Sequence, residues 1–143
     1  MNREEIIALF ERRADSWVRR DAAALADSHA ESAVAESPIH GRLEGRARIK
    51  AAYENWFASF PDLTHTTNDL LIDGDRVAQF FTMRGTQSGP FGGVPPTKRR
   101  IDFSGVILFT LGPDGLFLHD KRLYDVTAVL VQLGVLKGRP VDA

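Results

Sequence analysis

Gln79-Phe80-Phe81-Thr82-Met83-Arg84-Gly85-Thr86-Gln87-Ser88-Gly89-Pro90-Phe91 runs on to Gly93-Val94-Pro95-Pro96-Thr97 and then to Ile101-Asp102-Phe103-Ser104-Gly105-Val106-Ile107-Leu108-Phe109. The two ends of this stretch are β-branched and aromatic, as residues that sit well on a pleated, half-buried surface are. Its middle, residues 85–97, holds four Gly and three Pro, and that density of breakers interrupts a hydrogen-bonded ladder. The reading is strand, irregular crossover, strand, with the strands at about 76–88 and 99–111. Residues 88–97 are then expected to form an irregular loop that could gate an opening.

Working outward, Asp73-Gly74 and Asp114-Gly115 are hairpin turn signals between apolar stretches, which adds strands at about 63–72 and 116–124. The first half of the chain has helical period instead. Ile6, Phe10, Ala14 and Trp17 share a stripe over residues 3–20, with Arg12, Arg13, Arg19 and Arg20 placed around it. Asp21 is a candidate cap for a short helix over 22–28. Residues 32–37 read as a short strand ended by a loop at Pro38 and Gly41. Ile49, Ala52, Tyr53, Trp56, Phe57 and Phe60 give residues 44–59 a broad apolar helical face. Asp125 is suited to cap a last helix over 126–133, stopped by Gly134. Helices followed by strands imply one α+β domain, with helices packed on one face of an antiparallel sheet.

Composition narrows the function classes. A chain of 143 residues with 43% hydrophobic and 26% charged residues and a net charge of −1 has an ordinary globular profile. It offers no electrostatic reason to bind nucleic acid or an anionic membrane. With no cysteine, disulfides, thiol nucleophiles and thiolate metal sites are excluded. No apolar run approaches a membrane span, and no signal-type apolar segment follows the N-terminus, so the cytoplasm is the expected location. His29, His40, His65 and His119 are scattered, so no metal is expected. The glycines at 85, 89, 92 and 93 do not match a phosphate-binding fingerprint. Lys98-Arg99-Arg100 reads as a solvated strand entry.

The stretch Gly85 to Gly105, read as GTxxGPFxGxPPTxxxxxFSG, resembles the SnoaL-like polyketide cyclase family. Phe60-Pro61-Asp62-Leu63, Asp73-Gly74-Asp75-Arg76-Val77 and Gln132-Leu133-Gly134 follow in the same order, so the resemblance spans nearly the whole chain. It implies an NTF2-like fold: a strongly curved sheet wrapped around the N-terminal helices into a cone open at one end, with a short C-terminal helix. It also implies a cofactor-independent enzyme and a homodimer formed through the outer face of the sheet. In the family the catalytic aspartate lies three residues before the aspartate that starts the last helix, a place taken here by Arg122. Where those enzymes carry a histidine two residues earlier, this chain has Asp120, and the histidine of the Gly-Thr stretch is replaced by Gln87.

Strand alternation places Leu118, Asp120, Arg122 and Tyr124 on one face and Phe117, His119, Lys121 and Leu123 on the other. Taken inward, Asp120 and Arg122 are the candidate catalytic pair, with Asp120 as base and Arg122 stabilising an oxyanion. The plainer alternative is a structural ion pair in the sheet. Tyr124 fits a pocket wall. Trp17, Tyr53, Trp56, Phe60, Phe81 and Phe103 are candidates to line a cavity for a small hydrophobic molecule, or equally an ordinary core. Leu108, Phe117 and Leu123 have the parity of the outer, dimer-forming face. Two functions follow: a cyclase or isomerase acting on a polyketide- or carbonyl-type compound, or a non-catalytic binding or dimerisation module. A chemistry like that of limonene epoxide hydrolase, with arginine between two aspartates, lacks a second inward aspartate here.

Overall fold

The computed structural model describes residues 1–138. Helix α1 (Arg3–Val18) begins at a capping box in which the Asn2 side chain and Glu5 exchange hydrogen bonds with each other's backbone. α2 (Ala22–Asp27) is capped by the Asp21 carboxylate, which accepts from Ala24 N at 2.9 Å. Strand β1 (His29–Ser37) turns into β2 (Gly41–Glu44), and α3 (Arg46–Ser59) follows. Four strands complete the sheet: β3 (Thr64–Asp73), β4 (Arg76–Thr86), β5 (Arg100–Leu111) and β6 (Phe117–Tyr124). α4 (Val126–Gln132) starts at Asp125, whose carboxylate accepts from Ala128 N at 3.1 Å.

The six strands form one curved sheet in the order β2-β1-β6-β5-β4-β3. Every pairing is antiparallel except β1 with β6, which run parallel, so the sheet is mixed and the expectation of a wholly antiparallel sheet is corrected. That pair joins the first strand to the last and folds the helical half over one face. Three ladder irregularities fall at His29/Val34, Thr67/Asp69 and Thr110/Leu111, and such bulges bend a strand and increase its twist. At Gly105 a Cβ would lie 2.5 Å from Leu123 O and 3.0 Å from the Phe81 ring, so only glycine lets that ring and the β6 backbone approach β5 this closely.

Four expectations need correction. Gly41 opens β2 where a loop was expected, because a two-stranded hairpin with β1 pairs Ser37 with Gly41. Ala14 is exposed, and Arg13 takes the buried position one turn from Phe10 and from Trp17. Phe117 is wholly buried and Leu118 is 44% exposed, the reverse of simple alternation. The cause is the bulge: Leu111 pairs with Phe117 and Thr110 with His119, leaving Leu118 as the extra residue. Phe117 therefore belongs to the core, not to the outer face, while Asp120, Arg122 and Tyr124 beyond the bulge keep the expected side.

The crossover between β4 and β5 is irregular, as the Gly and Pro content requires, with a single bridge from Phe91 to Val94. Its organiser is Gln87, wholly buried. The Gln87 amide nitrogen donates to the carbonyls of Gly89, Val94 and Pro95 at 3.2, 3.1 and 3.2 Å. Its oxygen accepts from the Thr97 backbone at 3.2 Å and from the Thr97 hydroxyl at 2.6 Å. Phe91, 2% exposed, is thereby pressed onto Trp56 at 4.7 Å and Phe60 at 5.1 Å between ring centroids.

Candidate active site

Between α1, α3 and the concave face of the sheet lies an aromatic cavity lined by Trp17, Tyr53, Trp56, His65, Phe81, Met83, Phe103, Ile107, Arg122 and Tyr124. Its free space is about 20 Å³, room for about one water. The rings interlock. His65 is stacked between Trp17 at 4.2 Å and Phe81 at 5.1 Å, and Phe103 lies 5.1 Å from Tyr124. A larger groove of about 1180 Å³ runs along α1, α2 and the turn after β5, but it is an open surface depression that cannot exclude water.

Behind the rings runs a chain of buried polar side chains. Arg122, 7% exposed, donates from Nε to Asp120 Oδ1 at 3.0 Å and from Nη2 to Asp120 Oδ2 at 3.4 Å. Its guanidinium carbon also lies 5.1 Å from the centre of the Tyr53 ring, a cation–π contact. Asp120 is wholly buried, and its Oδ2 faces His29 Nδ1 at 3.7 Å. His29 Nε2 is 3.1 Å from the Tyr53 hydroxyl, which accepts from Arg13 Nη2 at 3.0 Å. Arg13 donates further to Leu25 O at 3.0 Å and to the Ser28 hydroxyl, and its guanidinium lies 5.1 Å from the Phe117 ring.

The electrostatics of this chain are set by burial and by arginine. Burial pushes the His29 pKa down to about 2, with Arg13, Arg122 and Arg46 acting in the same direction, so its contact with Asp120 is not an ion pair at neutral pH. With a neutral ring, the Tyr53 hydroxyl donates to Nε2 and the imidazole proton sits on Nδ1, toward Asp120. His65 is pushed down to about 3, first by burial and then by Arg13 and Arg122. His40, beside Trp56 and Phe91, is lowered by burial and by Arg122. Burial opposes the charge of Arg122, but Asp120 outweighs it and holds the guanidinium above its ordinary pKa. Burial raises the Tyr124 phenol, which remains a neutral donor.

Of the residues singled out in the sequence, Trp17, Tyr53, Trp56, Phe81, Phe103, Arg122 and Tyr124 converge on the cavity. Two do not line it. Phe60 is wholly buried behind Trp56, 5.7 Å ring to ring, and Asp120 stands behind Arg122. Gln87 holds the crossover rather than a ligand. His119 pairs with Glu36 at 2.8 Å, half exposed. His65, Met83 and Ile107 were missed, although His65 and Met83 pair across β3 and β4 on the inward side. Arg13 and His29 were also missed. The three-and-four spacing from Phe10 to Trp17 could have signalled Arg13, but nothing local marks His29.

The sequence matches the family described as SnoaL-like polyketide cyclase over residues 8–133. No curated protein sequence matches the chain. Among solved structures, TsrD from Streptomyces laurentii is 26% identical with a TM-score of 0.84, over 95% of this chain and 99% of its own. AclR from Streptomyces galilaeus, a proposed hydroxylase, is 26% identical with a TM-score of 0.84, over 97% of this chain and 87% of its own. IdmH from Streptomyces antibioticus, a proposed polyketide cyclase, is 27% identical with a TM-score of 0.74, over 90% of this chain and 97% of its own.

Proposed function

Since the chain belongs to the SnoaL-like polyketide cyclase family, we propose that it binds a small polyketide- or carbonyl-type molecule in the aromatic cavity and promotes cofactor-independent cyclase or isomerase chemistry there. The observation that carries this reading is Arg122: a guanidinium fixed by Asp120 in the wall of an otherwise aromatic cavity, where it meets a ligand oxygen. In an aldol-type step a base takes the proton from the carbon next to a carbonyl. The C–H electron pair forms the enolate, whose oxygen charge Arg122 stabilises. The enolate carbon then bonds to a second carbonyl carbon, and the alkoxide formed takes a proton back.

Asp120 is the proposed base; it stands behind Arg122, so to reach a ligand's proton its carboxylate must release Arg122 and turn into the cavity. Because the cavity holds about one water, a ligand enters only when rings move, and the Phe91 crossover over Trp56 is the proposed gate. We place this activity in the cytoplasm; no helix among the described residues is long and apolar enough to cross a membrane. Proton exchange tests the chemistry directly. In D₂O with 2-tetralone or an aryl β-keto ester, NMR should show the α-protons exchanging faster than in buffer, and Asp120→Asn should abolish the gain. Binding without faster exchange would establish the second reading, a non-catalytic binding module, which the engagement of both Asp120 oxygens favours.

A second copy of the chain is the proposed partner. On the convex face Phe80, Val106 and Leu123 pair across β4, β5 and β6, and Leu71, Ala78 and Leu108 form the next row. Phe80, Leu123 and Leu71 are 40, 48 and 56% exposed, an apolar patch that an isologous contact would cover. Sedimentation at micromolar concentration should give a dimer, and a monomer would refute this pairing.

A further inference from the structure

Taking the cavity as the ligand site proposed above, we infer that its ligand is an anion: an aromatic or polyketide-type acid whose negatively charged oxygen is received by Arg122, Tyr124 and His65.

Among the described residues, the groups on and behind the cavity wall carry more cations than carboxylates. From α1 comes Arg13, from α3 Arg46 and Tyr53, from β1 His29, from the β1–β2 turn His40, from β3 His65, and from β6 Asp120, Arg122 and Tyr124. Among the described residues Asp120 is the one carboxylate bonded to any of these groups, and Arg122 takes both of its oxygens. Arg13, 3% exposed, hydrogen-bonds among the described residues only to neutral acceptors, Leu25 O and the Ser28 and Tyr53 hydroxyls, although it borders the outer groove that also carries Glu5, Glu11, Asp15 and Asp27. Arg46 likewise donates to the His29 carbonyl at 2.9 and 2.7 Å. Among the described residues no Asp or Glu lines the cavity. An excess buried cation is costly unless something pairs with it.

The unmet hydrogen-bonding capacity points to the same ligand. Arg122 uses Nε and Nη2 on Asp120, and among the described residues Nη1 has no partner. His65 Nε2 is buried without a partner, and the Tyr124 hydroxyl, which lies near the Ser37 side chain and the Ile39 backbone, makes no well-formed hydrogen bond to either; both residues line the same cavity. Buried polar atoms in a folded protein are rarely left unmet. A guanidinium nitrogen can only donate, the phenol is neutral and able to donate, and the neutral His65 ring becomes a third donor when its one proton sits on Nε2, the tautomer an anion there would favour. Three donors and no carboxylate make a receptacle for an oxyanion, and the surrounding rings suit a planar carbon skeleton. A carboxylate, a phenolate and the enolate of a 1,3-diketone share this chemistry.

An isosteric pair separates charge from shape: 2-naphthoate and 2-naphthamide, titrated into the full chain by calorimetry, with Trp17 and Trp56 fluorescence reporting occupancy of the cavity. The expected result is at least about tenfold tighter binding of the carboxylate. The Asp120→Asn/Arg122→Gln double variant, which keeps the side-chain shapes and leaves no unpaired charge, should lose that preference while a thermal melt shows it folded. Tyr124→Phe should reduce the preference in part. Equal or tighter binding of the amide overturns the inference and leaves the cavity reading standing, as does a carboxylate preference that survives in the double variant. Failure of both probes at millimolar concentration removes the cavity reading and the inference together. Displacement of naphthoate by 1,3-indanedione would assign the anion to a carbon acid; its absence would assign it to a carboxylic acid.

Discussion

Gln87 and Asp120 are both wholly buried polar side chains, yet they are embedded in opposite ways. All five hydrogen bonds of the Gln87 side chain go to residues of its own crossover, none more than ten positions away, and both ends of the amide are used. Asp120 stands in a network assembled from α1, α3, β1 and β6 in which Arg13 Nε is unmet, and at the cavity wall beside it His65 Nε2 and Tyr124 Oη also lack well-formed hydrogen bonds. A satisfied network fixes a shape, and an unsatisfied one is held in place by the rest of the fold and keeps capacity for something else. Gln87 thus fixes the backbone of the crossover, leaving gating to the Phe91 ring it presents, and the Arg122 end of the cavity is where chemistry belongs.

The strongest way to break that contrast is to remove Arg122 alone. Arg122→Leu strands the Asp120 carboxylate in the interior, a loss of roughly 3–5 kcal/mol. For a chain of this size that lowers Tm by on the order of 10 °C. Asp120→Asn/Arg122→Leu should recover most of it, because no charge is left unpaired. Thermal or urea unfolding of the three proteins measures the coupling; equal losses in the single and double variants would mean that the pair does not act as a unit.

Gln87→Leu attacks the other side of the comparison. Three carbonyls and the Thr97 hydroxyl lose their partner at once, which should cost about 3 kcal/mol, less where water enters. Its signature is local. Amide exchange of Ser88, Val94 and Thr97 should quicken much more than that of β6, and Phe91 should loosen from Trp56. Uniform loss of protection across the sheet would show the crossover to be part of the global core instead.

The same contrast explains what was readable in the sequence. The crossover was legible because Gly and Pro act locally, and Gln87 bonds only to its neighbours. Asp120, Arg122 and Tyr124 were legible as inward residues because all three lie beyond the bulge in β6, where alternation holds. Phe117 and Leu118 were not, since a one-residue bulge reverses every assignment on its other side. Arg13 sat at a legible helical position, but its charge argued for the surface; the surrounding Tyr53, Ser28 and Phe117 that make burial tolerable come from distant elements. His29 meets Asp120 only through the parallel β1–β6 pairing, which no local pattern announces.

Acid sharpens the comparison because the Asp120 network holds a buried imidazole, His29, whereas the Gln87 side chain does not titrate. His29 has a folded pKa of about 2, against roughly 6.5 when unfolded. The unfolded chain therefore binds the extra proton, and the stability from a neutral buried His29 is complete above about pH 6.5. It is lost as the pH falls from there toward the folded value, at up to about 1.4 kcal/mol per pH unit. His65, folded near 3, adds a second proton of the same sign. Unfolding free energy should thus begin to fall near pH 6, before the carboxylates titrate, and His29→Gln should flatten the slope by about one proton. An unchanged slope in that variant would place the proton elsewhere.

The smallest effect expected is at Asp125, two residues along from Tyr124's neighbour Leu123 yet outside the network. Its carboxylate caps α4 by accepting from Ala128 N, and Asp125→Ala removes that bond at a typical cost of about 1 kcal/mol. The helix has other anchors: Val129 is wholly buried, and the Gln132 side chain brackets Asp102 of β5, accepting from its N–H at 2.9 Å and donating to its carbonyl at 2.8 Å. The loss should fall at or below that typical value, and Asp125→Asn, which can still cap, should be nearly neutral. Neither variant touches the cavity lining, so probe affinity should stay at the wild-type value while Arg122 variants change it. A melt and a calorimetric titration of each variant decide the matter. If Asp125→Ala abolished binding and the Asp120/Arg122 double variant left it intact, the active end of β6 would have to be moved from Arg122 to the helix cap.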